Sequence, residues 1–236
     1  MGQNITIKLS DGSNLCKVEF EKVLKNRTIT SSKIISLEDL IKAISENSSM
    51  VEEIVIPQNL AMILKKDNKK HYYFDFPAQK KHITVKNRAG KIIYNNDTLV
   101  PRTVFVVVPD PVTKKINPKS SIFVYAIKGT GPITKETELY TLPMYNIFDT
   151  NNICWGSYNY DFGTEENLDK CLLLHSCMYE ATCNLDLTPK ANYNWILNNI
   201  PGYGTGNESF VQVLKYLEDK TEYPEDLLTL ARTRPF

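Results

Sequence analysis

Residues 142–156, LPMYNIFDTNNICWG, place an asparagine, Asn146, eight positions before a cysteine, Cys154. A cysteine attacks a carbonyl as its thiolate, and an unperturbed thiol is already a few per cent thiolate at neutral pH. A side-chain amide can donate a hydrogen bond to the oxyanion that forms as the carbonyl becomes tetrahedral. Loss of one such donor typically costs about 10²–10³ in rate. Moving an acyl group between thiols, and then to an amine, starts from an activated thioester and needs no strong base. The same letters also suit a buried thiol that ends a strand, so the flanking elements have to decide.

Other sets of residues offer competing chemistry. The pair Cys154-Trp155 is similar to that of papain-like proteases, which need a glutamine shortly before the cysteine and a histidine far downstream. Here Ile147 and Phe148 lie upstream and no histidine follows His175. Cys171, His175, Cys177 and Cys183 are clustered, but their spacing differs from the close cysteine pairs of zinc ribbons. Core packing explains them better, and no metal is expected. The glycines of PGYGTGN precede a helix, yet no strand feeds the loop and no Gly-Lys-Ser/Thr follows, so it reads as a connection. Residues 65–91 are rich in lysine and interleaved with His71, Tyr72, Tyr73 and Phe74. That pattern fits a single-stranded nucleic-acid groove less well than a solvated hairpin or a docking face for an acidic protein.

The elements that must position Asn146 and Cys154 are strands before them and helices after. NITIKL and CKVEFEKV read as a hairpin, and Ser36 caps a helix over LEDLIKAISEN. Residues 51–66 read as one or two short strands, and 71–95 as a β-meander turning at PAQKK and NRAGK. TVFVVVP and SIFVYAIKG are the most apolar strands. Thr164 caps a helix over EENLDKCLLLHSCMYEAT, with Leu168, Cys171, Leu172, His175 and Tyr179 on one face. NESFVQVLKYLEDK is a second helix and PEDLLTLAR, opened by Pro224, a third. This order indicates an α+β fold with helices segregated against a largely antiparallel sheet. A net charge of +1 lends nothing to nucleic-acid or membrane-surface binding, and no apolar run reaches the roughly 18 residues of a membrane span. The amino terminus matches only the loose myristoylation pattern at Gly2 and Thr6 and reads as ordinary. Five cysteines without a secretory signal read as reduced thiols in a cytoplasmic protein.

With these residues in view, the chain resembles ubiquitin-conjugating enzymes, which carry His-Pro-Asn, then isoleucine, then a short loop and Ile-Cys. Asn146-Ile147 and Ile153-Cys154 match at the same gap of eight. Leu139-Tyr140, Pro143, Asn146, Cys154 and Gly156 are similar to a divergent prokaryotic branch that includes the PRTRC system protein B family. Met144 and Tyr145 stand where His-Pro would be, and Asn151 where the loop glycine would be. The resemblance covers about residues 100–185. It implies a ubiquitin-conjugating-like catalytic domain over 96–236, while residues 1–95 match nothing in the family and are expected to form a mostly β, mixed α/β amino-terminal extension or a separate module. It also implies that Cys154 carries a ubiquitin-like protein as a thioester and that Asn146 steadies the oxyanion. Asp149, the nearest acidic side chain, is the residue to orient the attacking group. The implied partners are a ubiquitin-like protein, an activating-enzyme-like adenylyltransferase and a JAB-type deconjugating peptidase. No cofactor is expected, because adenylation belongs to the partner. A non-catalytic binding subunit and a plasmid- or nucleic-acid-associated protein are the alternatives.

Overall fold

Two compact units make up the chain, Met1–Val55 and Ile56–Phe236. The structure, a computed structural model, describes residues 3–9, 15–24, 27–36, 38–39, 41–42 and 57–232. In the first unit, β1 (Gln3–Leu9), β2 (Leu15–Leu24) and β3 (Arg27–Ser36) form an antiparallel sheet in sequence order. The expected hairpin is β1–β2. The third strand is not among the expected elements, although its Thr and Ile residues suit a pleated surface. Ser36 caps the helical turn that follows, accepting from the Asp39 backbone N–H at 2.9 Å. The rest of that helix, residues 51–56 and Gly2 lie outside the described residues.

The second unit is built on a six-stranded antiparallel sheet, ordered β11-β10-β9-β8-β5-β4. Its strands are β4 (Leu60–Lys66), β5 (Lys69–Phe76), β8 (Thr103–Val107), β9 (Ile122–Ala126), β10 (Tyr140–Thr141) and β11 (Thr229–Leu230). Strands β6 (Gln79–Lys86) and β7 (Ile92–Val100) pair with each other as a separate ribbon. The expected meander over 71–95 is thus corrected: the turn at Pro77 redirects the chain, and β5 pairs with β8 instead. That pairing also crosses the expected boundary at 95/96. The ladder from Tyr72↔Val107 to Phe76↔Thr103 ties residues before 95 to the carboxy-terminal sheet, and the division falls at 55/56.

The central strands β5, β8 and β9 carry apolar residues on both faces, and both faces are buried. Phe74, Phe76, Phe105, Val107 and Val124 share a core with Leu174, Tyr179, Val213, Leu214 and Leu217 of the helices. Tyr73, Val104, Val106, Tyr125 and Ile127 pack on the other side with Ile133 and Leu139. Helix α1 (Pro118–Ser121) is one turn capped by Asn117. The expected helix after Thr164 begins as a 3-10 segment, Leu168–Leu173, and becomes α2 only at Leu174–Glu180. Its buried face is the expected one, with Cys171, His175 and Tyr179 inside. An unforeseen helix, α3 (Tyr193–Asn199), starts where the Asn192 side chain accepts from the Trp195 N–H. Helix α4 (Phe210–Glu218) is as expected and buries Phe210, Val211, Val213, Leu214 and Leu217. PEDLLTLAR is not a helix. It makes a 3-10 turn at Glu225–Leu227, Leu227 and Leu228 are both buried in the core, and β11 then hydrogen-bonds to β10. The fold is α+β: an antiparallel sheet with helices α2, α3 and α4 following Cys154.

Candidate active site

The gap of eight between Asn146 and Cys154 is a small β-hairpin. The Cys154 N–H donates to the Asn146 carbonyl at 2.7 Å, Ile147 and Ile153 form a β-bridge, and the Phe148 N–H donates to the Asn152 carbonyl at 2.9 Å. The turn closes where the Asn151 N–H returns to the Phe148 carbonyl at 2.9 Å. Asn151 has φ 63°, so asparagine fills the left-handed place that a glycine would otherwise take. Asn146 also has a left-handed backbone, φ 62°, which turns its side chain out of the regular strand alternation.

The two arms are held by different scaffolds. On the cysteine arm, the Val124 N–H donates to the Asn151 carbonyl at 2.8 Å, Asn152 Nδ2 donates to the Ile122 carbonyl, and Phe123 bridges Asn152. Trp155 is buried, donates from Nε1 to the Pro118 carbonyl at 3.1 Å, and packs on Tyr160 and Phe162 at ring distances of 5.1 and 5.5 Å. Cys154 therefore leaves the edge of β9 between fixed neighbours, half-buried and reduced. On the asparagine arm, Asn146 Nδ2 donates to the Thr182 carbonyl, and Asn146 Oδ1 accepts from the Asn184 N–H, both at 3.3 Å. An amide nitrogen carries two N–H groups, and these contacts use one of them.

Met144 and Tyr145, in the place of His-Pro, are both buried. The Tyr145 hydroxyl donates to the Asn207 carbonyl at 2.9 Å, and its ring meets Phe210 edge-on at 5.7 Å. Asp149 sits at the exposed tip of the hairpin and forms an ion pair with Lys190. The hairpin thus brings Asn146 and Cys154 together and places Asp149 beyond them, roughly 7–10 Å along the ladder at about 3.3 Å per residue. Sequence reasoning missed Thr182, Asn184, Lys190 and Asn207, because each meets the hairpin through tertiary contact and leaves no spacing signal.

The remaining candidates sort by burial. Cys171 and Cys183 are buried and their thiols are pushed up to about 12 by desolvation. Burial holds His175 down to about 3, so it is a neutral ring stacked on Phe76 at 4.8 Å. Among the described residues no three His, Cys, Asp or Glu are grouped to hold a metal ion. Nor is any helix among them long and apolar enough to cross a membrane. The basic stretch is not one strip. Lys65, Lys66, Lys69 and Lys70 surround the β4–β5 turn, while Lys80 and Lys81 open β6, roughly 25 Å away along β5. Lys70 is bound to Glu165 at 2.5 Å, and Lys80 donates to the Glu218 carbonyl at 2.8 Å.

Comparison with known families agrees with this geometry. The model of prokaryotic E2 family D matches residues 36–181, more than half of the chain, and the chain belongs to that family. The matched span contains the whole hairpin from Asn146 to Cys154 and stops before Thr182, Asn184 and Asn207. No curated protein and no solved structure matches the chain.

Proposed function

We propose that this member of prokaryotic E2 family D is a ubiquitin-conjugating-like acyltransferase with Cys154 as its nucleophile. The observation that carries the reading is the hairpin, which pairs Asn146 with a half-exposed Cys154 and leaves one amide N–H of the asparagine to give. In the first step the Cys154 thiolate attacks the thioester carbonyl of a ubiquitin-like protein carried by an activating enzyme. A new C–S bond forms, the old one breaks, and the donor sulfur leaves as a thiolate. In the second, an amine attacks the Cys154 thioester and the oxyanion takes the Asn146 N–H. The C–N bond forms as Cys154 leaves as a thiolate, and the amine's proton passes to solvent. Asp149 orients the incoming amine from the hairpin tip, where Lys190 now holds it. The partners are an adenylating activating enzyme, the ubiquitin-like protein and a metal-dependent deconjugating peptidase. The setting is the cytoplasm.

Charging tests this. The protein is mixed with its activating enzyme, ubiquitin-like protein and ATP and run on a non-reducing gel. A thiol-labile adduct absent from Cys154→Ala is expected, and Cys154→Ser should trap a stable ester. No adduct from a partner set that charges another conjugating protein would overturn the reading. A second reading, a non-catalytic binding subunit of the same fold, is favoured by one observation: both polar atoms of the Asn146 amide already have partners. In that case the protein binds the ubiquitin-like partner yet never forms the adduct.

A further inference from the structure

We propose that Tyr145 and Asn207 are positioning residues for Asn146, forming a clamp in the place of the absent His-Pro. The proposal rests on the transfer reading for its kinetic consequence, but the clamp itself is a matter of structure.

The hydrogen bonds close a circuit. Asn146 meets the segment 182–184 through both atoms of its amide. Between those two contacts Cys183 is locked to β6, its N–H donating to the Thr84 carbonyl at 2.8 Å and its carbonyl accepting from the Lys86 N–H at 2.9 Å. One residue on, the Leu185 carbonyl accepts from Asn207 Nδ2 at 3.2 Å, and Asn207 Oδ1 accepts from the Thr188 hydroxyl at 3.3 Å. The Asn207 carbonyl then accepts from the hydroxyl of Tyr145, the residue beside Asn146. Asn207 therefore holds the backbone that leads into Asn146 and also the segment on which its amide rests. A tyrosine 1% exposed, against Phe210, has no other room for its ring. Its hydroxyl reaches about 6 Å beyond the backbone, which is what allows a residue 62 positions away to fix a left-handed turn.

The fixed amide matters because an oxyanion donor works in proportion to its preorganisation. Tyr145 lies within the matched span, while Asn207 and the segment 182–188 lie past residue 181, in loops on either side of α3.

Two measurements test it. In the full-length protein, the Asn146 side-chain NH₂ and the Asn184 amide are followed by NMR in Tyr145→Phe and Asn207→Ala. Both signals should shift and exchange faster with solvent. Unmoved signals in both variants overturn the clamp, whether or not Cys154 can be charged. In single-turnover assays both variants should slow discharge of the thioester to an amine by about two- to tenfold, the weight of one hydrogen bond, and by more than they slow charging. In an Asn146→Gly background neither should slow discharge further. A purely structural role would slow charging and discharge alike and would persist in that background, which refutes the positioning role. A protein that never charges refutes the transfer reading and leaves the NMR result to decide the clamp.

Discussion

Asn146 is where backbone need and chemical need can be separated. At φ 62° an ordinary L residue is strained by about 1–2 kcal/mol, whereas glycine is not. Replacing Asn146 by either alanine or glycine removes the two 3.3 Å contacts with Thr182 and Asn184. At that length each lies at the weak end of the usual 0.5–1.5 kcal/mol, so the pair is worth about 1 kcal/mol. Asn146→Gly should then cost about 1 kcal/mol and Asn146→Ala about 2–3. The second should melt a few degrees below the first, at about 2–4 °C per kcal/mol for a domain of this size. Both variants lose the same amide, so both should discharge the Cys154 thioester about 10²–10³ more slowly than the parent protein. The assay isolates the charged protein, adds a small amine, and follows loss of the adduct on a non-reducing gel beside thermal melts. Unequal melting with equal discharge is the expected pattern. If Asn146→Gly discharges within about threefold of the parent, the residue was an asparagine for its backbone, and the oxyanion reasoning fails.

The thiols make a second prediction. In native Cys16→Ser protein, iodoacetamide should modify Cys154 first and Cys177, half-buried with its thiol raised by burial, more slowly. Cys171 and Cys183 should stay unmodified until the protein unfolds, and mass spectrometry of a protected Cys154 would contradict the exposed-nucleophile reading. Glu165 makes a third. Its hydrogen bonds to Lys70 and the Tyr72 hydroxyl, and its ion pair with Lys114, hold its carboxyl down to about 2, with Lys70 the largest cause. The lowering corresponds to roughly 3 kcal/mol, discounted to about 1–2 because the lysines are half exposed. A depressed carboxylate stabilises above its unfolded value and loses that contribution as pH falls from about 5 towards 2. Glu165→Gln should therefore melt lower than the parent at neutral pH and converge with it near pH 2, and parallel melting curves across that range would refute the account.

The sequence showed what is local. The helix over α4 was legible because its apolar residues repeat at helical spacing, and the hairpin from Asn146 to Cys154 because its two ends carry recognisable types at a fixed gap. Long-range pairing was not legible. Nothing in HYYFDFPAQKKHITV says that β5 passes over its sequence neighbour β6 to join β8, since a strand's own residues do not name its partner across the sheet. PEDLLTLAR has the proline and spacing of a helix start, but the helix stops after one 3-10 turn and Thr229–Leu230 pair with β10, a partner far upstream that the local letters do not name. Asn207 was invisible for the same reason, because its roles exist only after residues 145, 185 and 188 have been folded around it.

The two arms of the hairpin answer to different parts of the molecule, and that arrangement bears on how the site works. Cys154 is tied through Asn151, Asn152 and Trp155 to β9 and α1, near the middle of a six-stranded sheet. Asn146 is tied through Thr182 and Asn184 to a segment bonded to the β6–β7 ribbon. The hydrogen bond from Cys154 N–H to the Asn146 carbonyl fixes their backbones relative to each other, so the amide can move only by giving up its own two weak contacts. On the transfer reading, the second Nδ2 hydrogen takes the oxyanion, whose charge makes that hydrogen bond roughly twice as strong as a neutral one, while the two resting contacts keep the amide in place. On that reading the resting contacts preorganise the donor, and the charge of the oxyanion supplies the gain in the transition state.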